Sequence, residues 1–344
     1  MTTPQRHIKK GHKTTGPNAL FTLACFCALM IVGVACVPSP DCDDRYIPDD
    51  ALPNMTVMSY NIGNSDTSDA RYSLRIKKIA YERHIAKKIA QFEPDVIALQ
   101  EVLSPKACAA FSEKNPENTC SEAQPAARRI LGPDYSIVCD ERHHIECVGV
   151  HKRFGKIRGV APGEFVMDGA RTMPLPMAPC QYGDCKSDED TCDDESTVSH
   201  VVVDTARGPI RIVHTHPTAI GVRCLQAQVQ QTFRLAANAD IPSILLGDWN
   251  FDPARTTDVV ASSIWNSYMG GVHRFEDHSP LDDMCRPAST QRYGARSLDR
   301  VVTNFARGEC FIVKSSELDA DFEYPQKVAR VDHNAVICDL NDPR

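Results

Sequence analysis

What most restricts this chain is a series of short apolar runs, each leading into a carboxylate, an amide or an imidazole. Residues 55–60 run into Asn61, and residues 96–99 into Gln100 and Glu101. Residues 210–213 run into His214-Thr215-His216, and residues 243–246 into Gly247-Asp248-Trp249-Asn250. Short apolar runs rich in β-branched residues read as buried strands. A polar residue at the end of one strand is usually turn chemistry, whereas the same arrangement at several separate places describes one convergent site.

Helical patterns lie between these runs. Residues 72–92 carry Ile76, Ile79, Ala86 and Ile89 on one side, interrupted by Arg83, and Glu93-Pro94-Asp95 ends the pattern. Residues 123–131 read as a helix closed by Gly132-Pro133, and residues 221–238 as one with Leu225, Val229, Phe233 and Ala236 on a single face. Further strands are expected at 135–138 and 147–151, as a hairpin of 198–204 with 210–214 around Arg207-Gly208-Pro209, and at 298–302, 311–314 and 335–340. Hairpins mixed with helices between strands indicate an α/β sandwich rather than a purely parallel sheet. No internal repeat is visible.

The N-terminus has a different character. Arg6, Lys9, Lys10 and Lys13 precede an uncharged apolar run over residues 19–37, the pattern of an export leader. Gly33-Val34-Ala35-Cys36 resembles a lipoprotein cleavage site with Cys36 as the lipidated residue, although Gly33 stands where a Leu-like residue is usual. A cleaved secretory signal and a retained anchor helix are the alternatives. All three place the globular part outside the cytoplasm, and a lipid or an anchor would hold it to the membrane. The organisation expected is a leader over 1–36, a Pro- and Asp-rich tether over 37–54 and one folded domain over 55–341.

Cysteine usage agrees with export. Of 15 cysteines, Cys25, Cys27 and Cys36 fall in the leader, and the remaining even number suits disulfides in an oxidising compartment. Cys108 with Cys120 and Cys139 with Cys147 are the expected local pairs. Cys180, Cys185 and Cys192 share one acidic loop, which reads as a solvated, disulfide-pinned insertion because its spacing fits no EF-hand. No two cysteines have the CxxC spacing of a zinc site. The net charge of −7 argues mildly against a static DNA-binding module, and leaves room for a hydrolase that recruits cations.

Several residues suit hydrolytic chemistry. Glu101 at the end of a buried strand calls for a partner, a hard cation or the cation of a structural salt bridge. Asp248 and Asn250, two apart in an extended chain, point to one side and can orient a water and a phosphate oxygen. Asp332 and His333, as neighbours, suit a metal and a proton respectively. His216 closes its strand as Glu101 does, whereas His214 is the lesser candidate. His273 and His278 read as surface residues, Asp252 as a turn cap, and residues 265–269 (Trp265-Asn266-Ser267-Tyr268-Met269) as a candidate exposed aromatic loop.

Taken in order, Met58-Ser59-Tyr60-Asn61-Ile62-Gly63, Pro94-Asp95-Val96-Ile97-Ala98-Leu99-Gln100-Glu101, Leu245-Leu246-Gly247-Asp248-Trp249-Asn250, Leu298-Asp299-Arg300-Val301-Val302 and Val331-Asp332-His333-Asn334 resemble the motifs of the endonuclease/exonuclease/phosphatase superfamily. The resemblance spans about residues 55–340. It implies a four-layer α/β sandwich, two packed mixed sheets flanked by helices. By resemblance Glu101, Asn61 and Asp332 line a metal, Mg²⁺ with Mn²⁺ or Ca²⁺ as alternatives. Asp248 and Asn250 orient water and phosphate, Asp299 holds the catalytic His333, and His216 contacts the scissile phosphate. Asp248 and His333 share the role of base. Arg300 after Asp299, and Glu146 placed to pair with His216, resemble the deoxyribonuclease I-like branch. Val331 and Asn334-Ala335 depart from the usual residues beside the Asp–His pair. The expectation is a monomeric phosphodiesterase acting on nucleic acid, with DNA first. A phospholipid or sphingomyelin phosphodiesterase, a phosphatase, and an inactive binding module on the same fold are the alternatives.

Overall fold

Side chains alternate across a strand, so an unbroken apolar run serves two cores at once. The computed structural model describes residues 54–63, 79–110, 119–140, 145–172, 197–219, 222–237, 240–254, 259–282, 286–291, 296–314 and 331–344. The leader, the tether up to residue 53 and the acidic cysteine loop lie outside the described residues, as does the first part of the 72–92 helix. The strands are β1 (Met55–Asn61), β2 (Val96–Gln100), β3 (Tyr135–Asp140), β4 (Cys147–His151), β5 (Gly155–Ile157), β6 (Phe165–Thr172), β7 (Thr197–Thr205), β8 (Gly208–His216), β9 (Ser243–Asp248), β10 (Glu276–Asp277), β11 (Asp299–Thr303), β12 (Arg307–Val313) and β13 (Ala335–Asn341). The helices are α1 (Ile79–Phe92), α2 (Pro105–Ala110), α3 (Ala126–Leu131), α4 (Val222–Ala237) and α5 (Val259–Tyr268). None of the described helices is long and apolar enough to cross a membrane.

The strands form one hydrogen-bonded path that doubles back into two mixed sheets. The first runs β12-β13-β1-β2-β4-β3-β6 and the second β6-β7-β8-β9-β11-β10, with β5 added to β7. Strand β6 serves both: Val166 pairs with β3 and Arg171 with β7. The pairs β1/β2, β3/β6 and β8/β9 are parallel, the others antiparallel.

Three apolar clusters follow from the alternation. Between the sheets, Met55, Val57, Val96, Ala98, Val148 and Val150 meet Ile210, Ile212, Ile244, Leu246 and Val301. The intervening Met58, Tyr60, Ile97 and Leu99 face outward and pack against Tyr81, Ile85 and Ile89 of α1 and Ile130 of α3. On the other side, Val213, Leu245 and Val302 pack against Val229 and Phe233 of α4 and Trp265 of α5. The result is helix, sheet, sheet, helix.

Several details differ from the sequence reading. The expected aromatic surface loop at 265–269 is instead the end of α5. Trp265 is buried and forms an aromatic cluster with Phe233, Trp249 and Phe251. His278 is buried too, its Nε2 lying 3.0 Å from Thr303 Oγ1, because β10 carries it under the sheet edge. His273 is exposed, as expected. Asp252 caps a turn, accepting from Ala254 N, and also meets the buried Arg300 guanidinium at 3.3 Å. Arg300 bonds Asp277 and the Ser297 carbonyl as well, and faces the core rather than the solvent. The disulfides Cys108–Cys120 and Cys139–Cys147 are present, together with Cys310–Cys338, which joins β12 to β13; Cys224 is also disulfide-bonded.

Candidate active site

Strand parity builds the site. The residues that face the other sheet are apolar at one end of the sandwich and polar at the other. Along β1 the sequence of inward positions is Met55, Val57, Ser59, Asn61; along β2 it is Val96, Ala98, Gln100. Strand β8 contributes Ile210, Ile212, His214 and His216, and β9 contributes Ile244, Leu246 and Asp248. Running the opposite way, β4 and the residue before it give Val150, Val148 and Glu146, and β11 gives Val301 and Asp299. The polar ends coincide at one end of the inter-sheet layer. Parity was the available signal for Gln100 and His214, which motif reading set aside.

Backbone geometry completes the placement. Glu101 has φ 54° and Asn250 has φ 48°, left-handed conformations that side chains with a β-carbon adopt at a cost. These turns redirect both residues after their strands end. At Gly247, φ is 151° and a β-carbon would collide with the Thr215 carbonyl oxygen, so the residue before Asp248 is held to glycine by the approach of β8.

Two imidazole–carboxylate pairs face each other. His216 Nδ1 lies 2.7 Å from Glu146 Oε1, and His333 Nδ1 lies 2.8 Å from Asp299 Oδ2. Their free Nε2 atoms converge on one oxygen: Asp248 Oδ2 is 3.8 Å from His216 Nε2 and 3.5 Å from His333 Nε2. Asp248 and Asp299 are direct partners across β9 and β11, and both are buried. Two like charges so placed repel, and the His333 imidazolium between them offsets that repulsion. Thr290 Oγ1 accepts from Leu298 N at 2.8 Å and Asp299 N at 3.0 Å, which fixes the start of β11.

The protonation states follow from these contacts. Burial alone would lower both histidines. The nearby carboxylates outweigh it: Glu146, Asp248 and Glu101 push His216 up to about 10, and Asp299, Asp248 and Asp332 push His333 up to about 10. Burial would raise Asp248, but the charges of His333 and His216 and the Asn250 N–H hold it below the usual carboxylate range. Burial raises Asp299 and pushes Glu146 up to about 7. Burial and the adjacent His216 charge push His214 down to about 3, so it is neutral.

Asn61 and Asn250 are each held by hydrogen bonds within the site. Asn61 Nδ2 donates to Glu101 Oε1 at 2.9 Å and to Asp248 Oδ2 at 3.1 Å, and its Oδ1 accepts from Gly63 N. It therefore presents N–H groups that separate two carboxylates. Asn250 donates its backbone N–H to Asp248 Oδ1 at 2.8 Å and its side-chain N–H to the Pro217 carbonyl at 2.9 Å. It ties the loops after β8 and β9 together.

The donor chemistry fits a hard divalent cation. Glu101, Glu146, Asp248, Asp299 and Asp332 gather around His216 and His333, a set of hard oxygen donors among the described residues. Among the described residues, Asp248, Asp299 and His333 offer ligand atoms within 4.8 Å of one another. Their mutual contacts already account for that cluster. Glu101 and Asp332, the carboxylates that the resemblance assigns to a metal, are both partly buried.

A sequence model of the endonuclease/exonuclease/phosphatase family matches residues 58–317. Among solved structures, an endonuclease/exonuclease/phosphatase protein of Bacteroides vulgatus superposes with a TM-score of 0.53 at 14% identity, over 84% of this chain and 98% of that one. The human Nocturnin catalytic domain gives 0.51 at 15% identity, over 84% and 94%. An endonuclease/exonuclease/phosphatase protein of Beutenbergia cavernae gives 0.51 at 18%, over 84% and 71%. At such identities the likeness is one of fold. No curated protein matches the chain. Matched over most of its length, and folded as the four-layer sandwich its motifs imply, the chain belongs to the endonuclease/exonuclease/phosphatase family.

Proposed function

We propose that this family member is an exported, divalent-metal-dependent phosphodiesterase that cleaves DNA as an endonuclease. The observation that carries the reading is the convergence of His216 Nε2 and His333 Nε2 on Asp248 Oδ2, from 3.8 Å and 3.5 Å. Hydrolysis of a phosphodiester needs a proton taken from water on one side of phosphorus and a proton given to the leaving oxygen on the other. Asp248, ionised, accepts the proton of the attacking water, with His333 beside it holding the developing charge. His216, kept protonated by Glu146, gives its Nε2 proton to the leaving oxygen. Each such transfer is worth about 10²–10⁴ in rate. A divalent cation held by Glu101 and Asp332 would supply charge neutralisation at the phosphate.

The substrate reading rests on the Glu146–His216 pair and on Arg300 after Asp299, features similar to the deoxyribonuclease I-like branch. The lipid alternative loses its candidate aromatic loop, since Trp265 is in the core. Three disulfides among the described residues support an oxidising compartment. The leader supports export, with membrane tethering through a lipid on Cys36 or a retained helix.

The test is cleavage of supercoiled plasmid in Mg²⁺ plus Ca²⁺ by the chain produced in an oxidising compartment, beside a chelator control and His333→Ala. Nicking that both controls abolish is the expected result. A folded protein that leaves plasmid intact but releases phosphocholine from sphingomyelin vesicles would transfer the assignment to lipid phosphodiesters.

A further inference from the structure

We propose that His214 is a positioning residue that holds Glu146 in place for His216, a role that rests on the catalytic reading of the Glu146–His216 pair. Strand alternation puts His214 and His216, two residues apart on β8, on the same inward face. Both reach one carboxylate. His216 Nδ1 is 2.7 Å from Glu146 Oε1, and His214 Nε2 is 3.3 Å from Glu146 Oε2. His214 is fully buried and has no access to substrate, so it acts through its neighbours.

The positions before it on the same face are Ile210 and Ile212, both in the inter-sheet core. An imidazole in their row carries a desolvation cost that an aliphatic side chain would not, so its polar atoms need a use. Two buried oxygens nearby have no hydrogen-bond partner, Gln100 Oε1 and Glu146 Oε2, and His214 Nδ1 has none either. Gln100 Nε2 lies 2.9 Å from the same His214 Nε2. Half a turn of the Gln100 amide brings its oxygen to that nitrogen, and one proton on His214 Nε2 then serves both oxygens. With the amide so turned, His214 is the Nε2–H tautomer, and its Nδ1, which has no partner, carries no proton.

The consequence is mechanical. The terminal torsion of a glutamate is soft, and a single hydrogen bond to His216 leaves the carboxylate free to rotate. Contacts on both oxygens fix its plane. The backbone beneath is already set, because Asp140 Oδ1 accepts from Ile145 N and Glu146 N, each at 3.0 Å. Glu146 fixed at both ends aims the His216 ring, and so the position of its Nε2 relative to Asp248.

The first measurement needs no variant: ¹⁵N shifts of the histidine rings in the full wild-type chain. A neutral His214 protonated at Nε2 is expected, and one protonated at Nδ1 overturns the proposal whether or not the protein cleaves DNA. The second is a cycle with His214→Phe, which keeps a ring without the donor, and Glu146→Gln. His214→Phe should lower kcat about tenfold with KM unchanged, the size of one hydrogen bond to a charged group. In the Glu146→Gln background it should change kcat less than about twofold. His214→Gln, which retains an N–H, should recover most of the loss. An equal loss in both backgrounds would mean mere packing and would overturn the proposal. Loss of all activity in the wild type bears on the function alone, and the tautomer then decides the role of His214.

Discussion

The two imidazole–carboxylate pairs make the same contact, a ring Nδ1 to a carboxylate, but are built in opposite senses. In one, the acid Glu146 leads into β4 of the first sheet and His216 closes β8 of the second. In the other, the acid Asp299 opens β11 of the second sheet and His333 precedes β13 of the first. Each pair therefore bridges the sandwich, and the apolar layer between the sheets sets both distances. Their surroundings differ. Glu146 has an imidazole at each oxygen, whereas Asp299 stands directly across from Asp248. The first pair is held mainly by positioning, the second mainly by charge. Loss of His216 leaves one buried acid already pushed toward neutrality, and loss of His333 leaves two buried acids facing each other.

The largest expected effect comes from breaking the pairs separately. His333→Ala should reduce the plasmid-nicking rate by about 10³–10⁴, because it removes the charge that keeps Asp248 ionised and able to accept the proton of water. His216→Ala should cost about 10²–10³, since water can protonate the leaving oxygen in its place. Single-turnover rates for the two variants give the comparison. Equal losses would mean that the pairs are equivalent and that the Asp248–Asp299 repulsion has no catalytic consequence.

Stability against pH should separate the pairs next. Both histidines are raised from 6.5 to about 10 in the folded, metal-free protein. A group whose folded pKa is raised binds its proton more tightly in the native state. Its stabilisation is fully present below the unfolded value near 6.5 and is lost as pH rises toward 10. Tm measured in chelator should therefore fall across that window. His216→Asn and His333→Asn should each flatten part of the fall, with His333→Asn also lowering Tm at pH 6, where its two acids would face each other unscreened. A Tm that is flat from pH 6.5 to 10 would show that neither imidazole carries the charge assigned to it.

A smaller effect tests how Glu146 is carried. Cys139 and Cys147 are cross-strand partners of β3 and β4, and Glu146 immediately precedes Cys147. Replacing both cysteines with alanine should cost about 2–3 kcal/mol in denaturant unfolding, the value for closing a loop this short. The accompanying loss of activity should vanish in a His216→Ala background, while the stability loss remains. An activity loss that persists there would place the disulfide's influence on the other pair.

Much of this arrangement was legible in the sequence, and the limits have physical causes. The inward polar ends of β1, β8 and β9 could be read because each follows an apolar run in chain order. Glu146 was found through its resemblance rather than by pattern, since it precedes its strand and the polar end comes first. Gln100 and His214 sit at inward positions within strands, where only parity marks them. Arg300 faces away from the site although it follows Asp299, because adjacent residues in a strand face opposite sides, and it points to Asp277 and Asp252 in the outer layer. The burial of Trp265 and His278 was hidden for a different reason, because it depends on α5 and β10 covering the second sheet. Neither element has a strong periodic signal.

The smallest expected effect concerns Thr290, which supports the second pair as Asp140 supports the first. Its hydroxyl accepts from Leu298 N and Asp299 N, and its carbonyl accepts from Asn334 N at 2.7 Å. One residue thus anchors both Asp299 and the segment carrying His333. Thr290→Val keeps shape and burial but leaves two N–H groups without their acceptor, a cost of about 1–2 kcal/mol. The carbonyl contact survives, so His333 should stay near its place while Asp299 loosens. The expected signature is a modest fall in kcat with an unchanged KM, together with a His333 ring signal that shifts while that of His216 does not. A shift of both ring signals would mean that the pairs are coupled through Asp248, and the contrast between positioning and charge would then apply to one joined network.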